Sequence, residues 1–434
     1  MTESRGHEGR YESANRSRLV LDGLDGLLAK LAGLYMHLHR NPELSRQERE
    51  TASAVAAWLR EEGFSVTEGI GGFGVVGVLA RGPGPTVMLR ADMDALPVEE
   101  KTGLPYASTV RATNRHGFEV PVMHACGHDL HTACLLGAAH CLSRARSAWS
   151  GTLLIVAQPA EEEVSGARAM LNDGLFERFP RPDYVLGQHT WPAPLGTIGH
   201  RPGPFFGGCT RLAVTVYGRG GHGSTPHLTV DPVVICAHIV TRLQTVAARE
   251  APPEDRVVVT VGVLRAGTAA NIIPDHAYLE IDLRAATPAA MARTVAAVNR
   301  VIRAEAAAGS ALREPEIVTL VECPTVVNDE ALDATIEAAH AAHFGTEKML
   351  RQPFSSTAED FAEYGAEGAS LDFWALGIGE TGCGGGACTP LHSPTYAPTD
   401  MMKSISAGTE ALVVAALAVL EEPRAVRSEG EARD

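Results

Sequence analysis

Short apolar runs recur through the first half of the chain, and stretches with helical spacing separate them. The helical spacing covers about residues 20 to 62, with a break at Asn41-Pro42, and a second long helical pattern follows His128. Strands that alternate with helices favour a mostly parallel sheet that is covered by helices on both faces. We therefore expect an α/β fold. The predicted strands are FSVTEGI (64–70), VVGVLA (75–80), TVMLR (86–90), GTLLIVAQ (151–158) and PDYVLGQH (182–189).

The middle of the chain has a different order of elements. An alternating strand, RLAVTVYG, precedes a helix that begins at Asp231-Pro232, where proline suits the first turn. Two strands, an alanine-rich helix and a last strand follow, which gives β-α-β-β-α-β, the order of ferredoxin-like domains. The strands are predicted at 211–218, 257–264, 276–284 and 316–322, the second helix at 288–307, and one apolar stripe of the first helix at Val233, Ala237, Val240 and Leu243.

Helical patterns return after this block, around a strand at LDFWAL. We expect one α/β domain that is interrupted by an inserted ferredoxin-like domain. The returning helices are predicted at 329–343, 358–364 and 399–421. The predicted boundaries are a polar N-terminal extension at 1–18, the α/β domain at 19–207 and 323–422, the insert at 208–322, and a polar tail at 423–434.

Composition excludes some classes of function. The chain has 434 residues, of which 45% are hydrophobic, enough for a large core in two domains. A net charge of −15 disfavours nucleic acid as a partner, because phosphates bind basic surfaces. No stretch approaches the roughly 20 uninterrupted apolar residues of a membrane span, and the first 16 residues lack the apolar core of a secretion signal. We expect a cytoplasmic protein without a membrane partner.

The eight cysteines are scattered and do not form a disulfide scaffold. Cys134, Cys141 and Cys236 have apolar neighbours, so we expect buried thiols. Cys383 and Cys388 flank glycines in GCGGGAC, which is compatible with a regulatory or zinc-binding pair. We interpret this segment as a flexible loop.

Five stretches next to predicted strands or helices are rich in Cys, His, Asp and Glu. Such positions at strand ends point side chains into a cleft. Side chains of these types can bind metal ions or transfer protons. The stretches are RADMDALP (90–97), MHACGHDLH (123–131), QPAEEE (158–163), GQHTWP (187–192) and LHSPTY (391–396).

Each stretch alone has two interpretations. Cys126 and His128 can reach one cation from a tight turn, or they can be a buried thiol beside a helix-capping pair. The three glutamates from Glu161 can be a solvated acidic patch, or they can divide metal binding and proton transfer. His189 and His392 are each more often structural than ligating. Together, however, these side chains supply donors for two cations that each keep an open position.

In order along the chain, these motifs resemble a metallo-aminoacylase and peptidase family that includes hippurate hydrolases, plant auxin-conjugate hydrolases and bacterial N-acyl-amino-acid amidohydrolases. The similarity covers roughly residues 25 to 420. A finer similarity, to acylglutamine aminoacylases, rests on KTGLPYAS, WSGT and HLTVDP. The motifs are HRNPELS, RADMDALP, MHACGHDLHTA, QPAEE, QHTWP, GRGGHGSTPH, NIIPD and HSP.

The resemblance implies a site with two divalent cations, Zn²⁺ or Mn²⁺, with Co²⁺ also compatible. Glu161 matches the general base that activates the attacking water and then protonates the leaving amine. Asp94 is expected behind the metals, and Asp129 is expected to support His128 in the same way. Asp92 stands where the wider family has a histidine ligand, so no metal role is carried over to it. The implied ligands are Cys126, His128, Glu162, His189 and His392.

The inserted block resembles the family's lid domain, which also forms a homodimer. His222 matches a histidine that polarises the scissile carbonyl; the alternative is a flexible GGHG turn. Asn271 and Arg284 match residues that bind the substrate carboxylate. The context of Arg284 departs from the family, since Ile-Asp-Leu precedes it. Two further departures are EVSG after QPAEE, and SSTAEDF, which keeps Glu359 and Asp360.

The function that the resemblance implies is hydrolysis of the amide bond of N-acyl amino acids, with water as the nucleophile. A metallo-dipeptidase or carboxypeptidase would use the same metals on a peptide. A metal-dependent binding protein without turnover is the alternative outside the enzymes. The acyl group, the amino acid and the metal stay open.

Overall fold

A computed structural model describes residues 15–379 and 389–420 of the chain, without the side chains of residues 366 and 367. Two compact units share these residues. The first unit comprises the described residues up to Gly203, then Asn328–Gln352, and those from Tyr364 onward. The second unit comprises Pro204–Val327 and Pro353–Glu363. Cys383 and Cys388 lie outside the described residues.

The strands and helices follow one another through both units. The strands are β1 Ser65–Ile70, β2 Gly74–Arg81, β3 Thr86–Asp92, β4 Arg111–Thr113, β5 Glu119–Pro121, β6 Gly151–Gln158, β7 Tyr184–Trp191, β8 Ile198–His200, β9 Gly203–Phe206, β10 Gly208–Tyr217, β11 Gly221–His222, β12 Val258–Ala266, β13 Ile272–Ile273, β14 His276–Ala285, β15 Glu316–Cys323, β16 Val326–Asn328, β17 Met349–Arg351 and β18 Ser370–Gly377. The α-helices are Leu24–Arg40, Arg49–Glu61, His128–Arg144, Gly166–Asn172, Leu175–Arg178, Pro232–Thr245, Pro288–Ala308, Glu330–Phe344 and Met401–Val419.

An eight-stranded mixed sheet forms the centre of the first unit, in the order β1-β2-β6-β3-β7-β18-β8-β17. Its four central strands, β6, β3, β7 and β18, are parallel, whereas β1, β2 and β8 pair antiparallel with their neighbours towards the centre. The parallel strands are buried along nearly their whole length, as expected for a sheet covered on both faces. The α/β class is therefore confirmed.

Three long helices pack together beside this sheet. His128–Arg144 contacts both Met401–Val419 and Leu24–Arg40. The helix Met401–Val419 would be long and apolar enough to cross a membrane, judged by length and composition alone. Leu412, Val413 and Leu417 of this helix are buried in the main core, so its apolar composition has a packing role in the fold.

The ends of the central strands position the chemistry of the first unit. β3 ends at Asp92 and β6 at Gln158, and these residues are partners in the parallel ladder. His189 and Thr190 lie near the end of β7. Carboxyl ends of parallel strands meet at one edge of a sheet, and ligands bind in the crevice there.

The second unit is built on an antiparallel sheet in the order β12-β14-β10-β15. The helices Pro232–Thr245 and Pro288–Ala308 complete the β-α-β-β-α-β order along the chain. Asp231 and Thr287 cap these helices by accepting bonds from Val233 N and Ala290 N, and each is followed by proline.

The predicted stripe of the helix Pro232–Thr245 was wrong at its first two positions. Val233 and Ala237 are exposed, Val240 is only partly buried, and the core contacts come from Ile235, Cys236, Ile239 and Leu243. The helix is apolar on more than one side, so its periodicity did not identify the face that packs on the sheet.

A second difference concerns the predicted helix 358–364. This segment is a 3-10 helix, Asp360–Glu367, rather than an α-helix. Short strands such as β8 and β17 carried no recognisable pattern, because three residues are too few to show a period.

Candidate metal centre

The turn Cys126-Gly127-His128 places a thiol and an imidazole side by side in the first unit. Gly127 has φ +83°, and a Cβ there would lie 2.5 Å from Thr190 Oγ1. Only glycine fits this close approach without strain. Thr190 Oγ1 donates to Cys126 O over 3.1 Å, which ties the turn to β7. His128 begins the helix His128–Arg144 and is fully buried.

Asp94 fixes the orientation of His128. Its Oδ1 lies 3.2 Å from His128 Nδ1, and its Oδ2 accepts from Ser45 Oγ at 2.6 Å and from Glu162 N at 3.1 Å. With Nδ1 held by the carboxylate, Nε2 of His128 is directed elsewhere, and this buried atom has no hydrogen-bond partner. A carboxylate behind an imidazole in this way is the usual support of a metal-ligating histidine.

The acidic turn after β6 separates the three glutamates. Ala160 has φ +51°, and its N–H donates to Glu48 Oε1 over 2.8 Å, which holds the turn in this conformation. Glu161 is buried, whereas Glu163 pairs with Arg46 at 2.9 Å. Glu162 is held through its backbone by Asp94, and its side chain is directed towards the histidines. The interpretation of this run as a solvated patch therefore fits Glu163 alone.

Glu162 lies between two histidines. Its Oε1 is 3.9 Å from His128 Nε2 and has no hydrogen-bond partner, and its Oε2 is 3.5 Å from His392 Nε2. His392 has φ +65°, and its N–H donates to Ala125 O over 2.8 Å, so the loop is tied to the Cys126 turn. The side chain of His392 is 50% exposed, which leaves this side of the cluster accessible to solvent.

His189 approaches Cys126 from β7. Its Nδ1 donates to Thr190 O over 2.7 Å, which leaves Nε2 as the nitrogen with the free lone pair, 3.4 Å from Cys126 Sγ. The ring tautomer therefore suits metal binding through Nε2.

These side chains form what we call the open cluster. Three overlapping groups, Cys126 with His128 and His189, Cys126 with Glu162 and His392, and His128 with Glu161 and Glu162, each have ligand atoms within 4.8 Å of one another. Each predicted ligand thus contributes to the same cluster, together with the predicted base. The orphaned buried atoms, His128 Nε2 and Glu162 Oε1, are what a cation would satisfy. The open cluster consists of Cys126, His128, Glu161, Glu162, His189 and His392.

The electrostatics of the open cluster also favour a cation. Burial and then the neighbouring glutamates raise the pKa of the Cys126 thiol well above its usual range. Burial, and then Asp94, raise the pKa of Glu162 to about 8 although His128 opposes them. Burial alone would lower the pKa of His128, but Asp92 and Asp94 raise it to about 10. The side chains of Cys126, His128 and Glu162 thus hold protons where no metal is bound, and metal binding would release them.

His131 is a functional neighbour that the sequence pattern did not identify. Its Nε2 accepts from Thr190 N over 2.9 Å, so its Nδ1 is the donor to Asp92 Oδ1, 2.5 Å away. Both nitrogens are therefore used, and His131 supports the site without a free lone pair for a metal. Its spacing of three residues from His128, one turn along the same helix face, is the signal that could have shown it.

Asp92 lies behind the histidines and is fully buried. Burial alone would raise its pKa, but His128, His131 and Arg90 hold it well below the usual range. Arg90 Nη1 donates to Asp92 Oδ2 over 2.9 Å. Asp92 Oδ2 is 3.7 Å from His128 Nε2, so this carboxylate contributes negative charge beside the ligands.

The expected support of His128 by Asp129 was wrong. Asp129 Oδ2 lies 2.7 Å from His39 Nδ1, and Glu100 Oε1 lies 3.0 Å from the other nitrogen of that ring. Residues one apart on a helix face different directions, so Asp129 cannot share the environment of His128. Burial alone would lower the pKa of His39, but Asp129 and Glu100 raise it to about 10.

The remaining predicted site residues belong to the second unit. His222 lies in the ribbon of β11 and β13, opposite Ile272, and Gly223 N donates to Asn271 O over 2.8 Å, so His222 and Asn271 are neighbours. Arg284 lies on β14, where its Nε donates to Asp282 Oδ2 over 2.8 Å. Arg284 is therefore part of an ion pair with a residue of its own strand.

The departures noted in the sequence have local structural counterparts. Val164, in EVSG, has φ +53°, and its N–H donates to Glu161 O, so this turn is tight without the glycines of the related motif. Glu359 and Asp360 are both buried.

Comparison with known proteins identifies the family. The model of peptidase family M20/M25/M40 matches residues 88–416. An N-acetyl-L-cysteine deacetylase of Bacillus subtilis is 35% identical over 79% of this chain and 79% of that protein. A hippurate hydrolase of Campylobacter jejuni is 40% identical over 70% of this chain and 76% of that protein. The crystal structure of a Bacillus subtilis protein described as a dinuclear metal-binding peptidase of the M20 family matches with a TM-score of 0.76, 30% identity, and coverage of 92% of this chain and all of that one. This chain belongs to peptidase family M20/M25/M40.

Proposed function

We propose that this protein hydrolyses the amide bond of N-acyl amino acids, giving a carboxylic acid and a free amino acid. The supporting observation is the open cluster, in which donors of the types that bind divalent cations, most of them buried, converge beside a further carboxylate, Glu161. Relatives that are named a deacetylase of N-acetyl-L-cysteine and a hippurate hydrolase support the substrate class.

Two divalent ions would be held by the side chains of this cluster. Cys126 belongs to two of the overlapping groups, one with His128 and His189 and one with Glu162 and His392, so its thiolate would be a ligand available in both. Bound there, the ions would supply Lewis-acid polarisation of a carbonyl and lower the pKa of water. We propose Zn²⁺ or Mn²⁺, since thiolate and imidazole suit zinc and carboxylate also suits manganese.

Glu161 is the proposed proton carrier. Its backbone is fixed by the strained turn at Ala160, and its carboxylate is buried in one group with His128 and Glu162. It would take a proton from the attacking water and deliver it to the leaving amine. Asp94 holds His128 and the backbone of Glu162 at once, so one carboxylate positions two of the ligands.

We propose that the second unit supplies substrate contacts. Ser224 N donates to His222 Nδ1 over 3.1 Å, so Nε2 carries the proton and can donate to a developing oxyanion. Asn271 is the better candidate for the substrate carboxylate, because Arg284 would have to exchange or share its bond to Asp282.

We also propose a cytoplasmic homodimer that is formed by the second unit. The two edge strands of the four-stranded sheet of this unit, β12 and β15, each carry exposed apolar side chains that a second copy could cover. These residues are Val258, Leu264, Val318 and Leu320.

A substrate panel tests the proposed function. Purified protein with zinc or manganese is incubated with N-acetyl, N-benzoyl and long-chain acyl amino acids, their carboxamide analogues, and free dipeptides, and the products are identified by mass spectrometry. We expect release of the free amino acid from acylated substrates, and poor turnover of analogues without the carboxylate. Binding without any product across the panel would contradict the proposal and favour a binding protein.

A metallo-dipeptidase or carboxypeptidase is the second candidate. The structural relative described as a peptidase favours it, since the same cations can act on a peptide bond. A clear preference for substrates with a free amino terminus in the same panel would decide for the peptidase.

A further inference from the structure

A second buried group of metal-binding side chains lies in the first unit and shares no residue with the open cluster. His200 ends β8, Asp372 lies in β18, and Asp333 and His340 lie on the helix Glu330–Phe344. Asp333 and His340 are seven residues apart, which is two helical turns, so they share one face. All four side chains are at most 1% exposed. We call His200, Asp333, His340 and Asp372 the closed cluster.

Hydrogen bonds fix the orientation of both imidazoles. His340 Nε2 lies 2.9 Å from the carbonyl oxygen of Ala411, which can only accept, so this nitrogen carries the proton. Its Nδ1 must then accept from His200 Nε2, 2.9 Å away. The lone pair of His200 Nδ1 is consequently directed at Asp333, whose Oδ1 is 3.1 Å away. A metal-ligating histidine donates its other ring N–H to an acceptor in this way.

The lone pair of His200 meets two carboxylates. His200 Nδ1 and one oxygen each of Asp333 and Asp372 lie within 4.8 Å of one another. Tetrahedral bonds of about 2.1 Å to one zinc ion place ligand atoms about 3.4 Å apart, so side-chain adjustments of about 1 Å would place these three atoms around a common ion. Among the described residues no donor is aligned with either oxygen of Asp372, although Asp333 and the backbone N–H of Phe373 lie near this carboxyl group.

Two carboxylates buried beside one imidazole are unfavourable, because a protonated His200 can balance the charge of only one of them. Either one divalent cation or two protons would neutralise them. A proton on Asp372 would serve only one of its oxygens, whereas a cation can contact both oxygens of the carboxylate.

We propose that the closed cluster binds a divalent cation, of the zinc type, through His200 Nδ1 and the carboxylates of Asp333 and Asp372. His340 orients the ring of His200. The ion would join β8, β18 and the helix Glu330–Phe344, three segments that are separated along the chain. Because no open coordination position faces solvent, its role is structural, and it is independent of the proposed amide hydrolysis.

The test measures metal that survives chelation of the native protein. Protein produced with zinc is treated with EDTA until the ions of the open cluster are lost, then desalted and denatured in guanidinium, and the released metal is counted by inductively coupled plasma mass spectrometry. We expect about one zinc ion per wild-type chain to appear only on denaturation, because a buried ion is released by unfolding. Wild-type protein without a residual ion would overturn the proposal.

Asp372→Asn removes one ligand and should lose this residual ion. Asp329→Asn is the matched control, because its carboxylate caps the same helix outside the cluster and asparagine also caps well. Equal residual zinc in Asp372→Asn and wild type would overturn the proposal. If Asp372→Asn does not fold, anomalous diffraction at the zinc edge on chelated wild-type crystals decides: a peak between His200, Asp333 and Asp372 supports the site, and no peak there overturns it.

Discussion

The open and closed clusters use the same kinds of side chain in opposite surroundings. The open cluster lies near the ends of the parallel strands. The side chain of His392, on one side of this cluster, is half exposed. The closed cluster lies between β8, β18 and a helix, and solvent does not reach its side chains. Catalytic metal sites keep a position for substrate, whereas structural sites are saturated by protein ligands. In the two sites proposed above, access to solvent, more than the type of ligand, would distinguish a catalytic metal site from a structural one.

Metal removal should have the largest effect on this comparison. EDTA should abolish amide hydrolysis, since every proposed step depends on ions in the open cluster, and zinc or manganese should restore it. Circular dichroism should show the fold unchanged, because the closed cluster keeps its ion. Mass spectrometry verifies that no exchangeable metal remains. Full activity of such protein would contradict the catalytic role proposed for the ions of the open cluster.

Asp94→Asn tests the support of the open cluster. The asparagine has only one side-chain oxygen. Either the N–H at His128 Nδ1 loses its acceptor, or the two donors Ser45 Oγ and Glu162 N lose theirs. Loss of such a support typically weakens metal binding roughly 10- to 100-fold. Titration with zinc against a competing chelator measures this change, and Asp329→Asn serves as the control. An unchanged affinity would show that Asp94 does not position the ligands.

Glu48→Gln should give the smallest effect. It tests the residue that holds the turn before the three glutamates. Burial, and then Asp94, raise the pKa of Glu48 to about 7 from its usual 4.5. Because the folded protein holds the proton of Glu48 more tightly than the unfolded chain does, this group stabilises the fold fully below pH 4.5. The stabilisation is lost as pH rises through about 7. The glutamine keeps the acceptor for Ala160 N and carries no charge. In metal-free protein its melting temperature relative to wild type should therefore increase between pH 5 and pH 8. A difference that does not change with pH would contradict the raised pKa.

The strands and the open cluster could be predicted from the sequence for a physical reason. GTLLIVAQ is an uninterrupted apolar run, and β6 spans the same residues, Gly151–Gln158. Most of the proposed ligands of the open cluster lie at or just beyond the ends of such elements, which grouped them, and the family resemblance implied their roles.

The closed cluster could not be predicted, because its members are isolated in the sequence. His200 and Asp333 are 133 residues apart, and each alone has the pattern of a satisfied core residue. The role predicted for Asp129 was wrong and that of His131 was missed for a related reason. A sequence motif does not show which of two neighbouring residues on a helix faces the site. Orientation depends on the turn at Gly127, which only the fold reveals.

Glu161→Gln tests the central claim most directly. The initial rate of N-acyl amino acid hydrolysis is measured for wild type and for the variant at matched metal content. The account predicts equal metal per chain and a rate roughly 10²- to 10⁴-fold lower, since glutamine cannot carry the proton. Full turnover by the variant with its metals bound would contradict the role of Glu161, and with it the proposed chemistry of the open cluster.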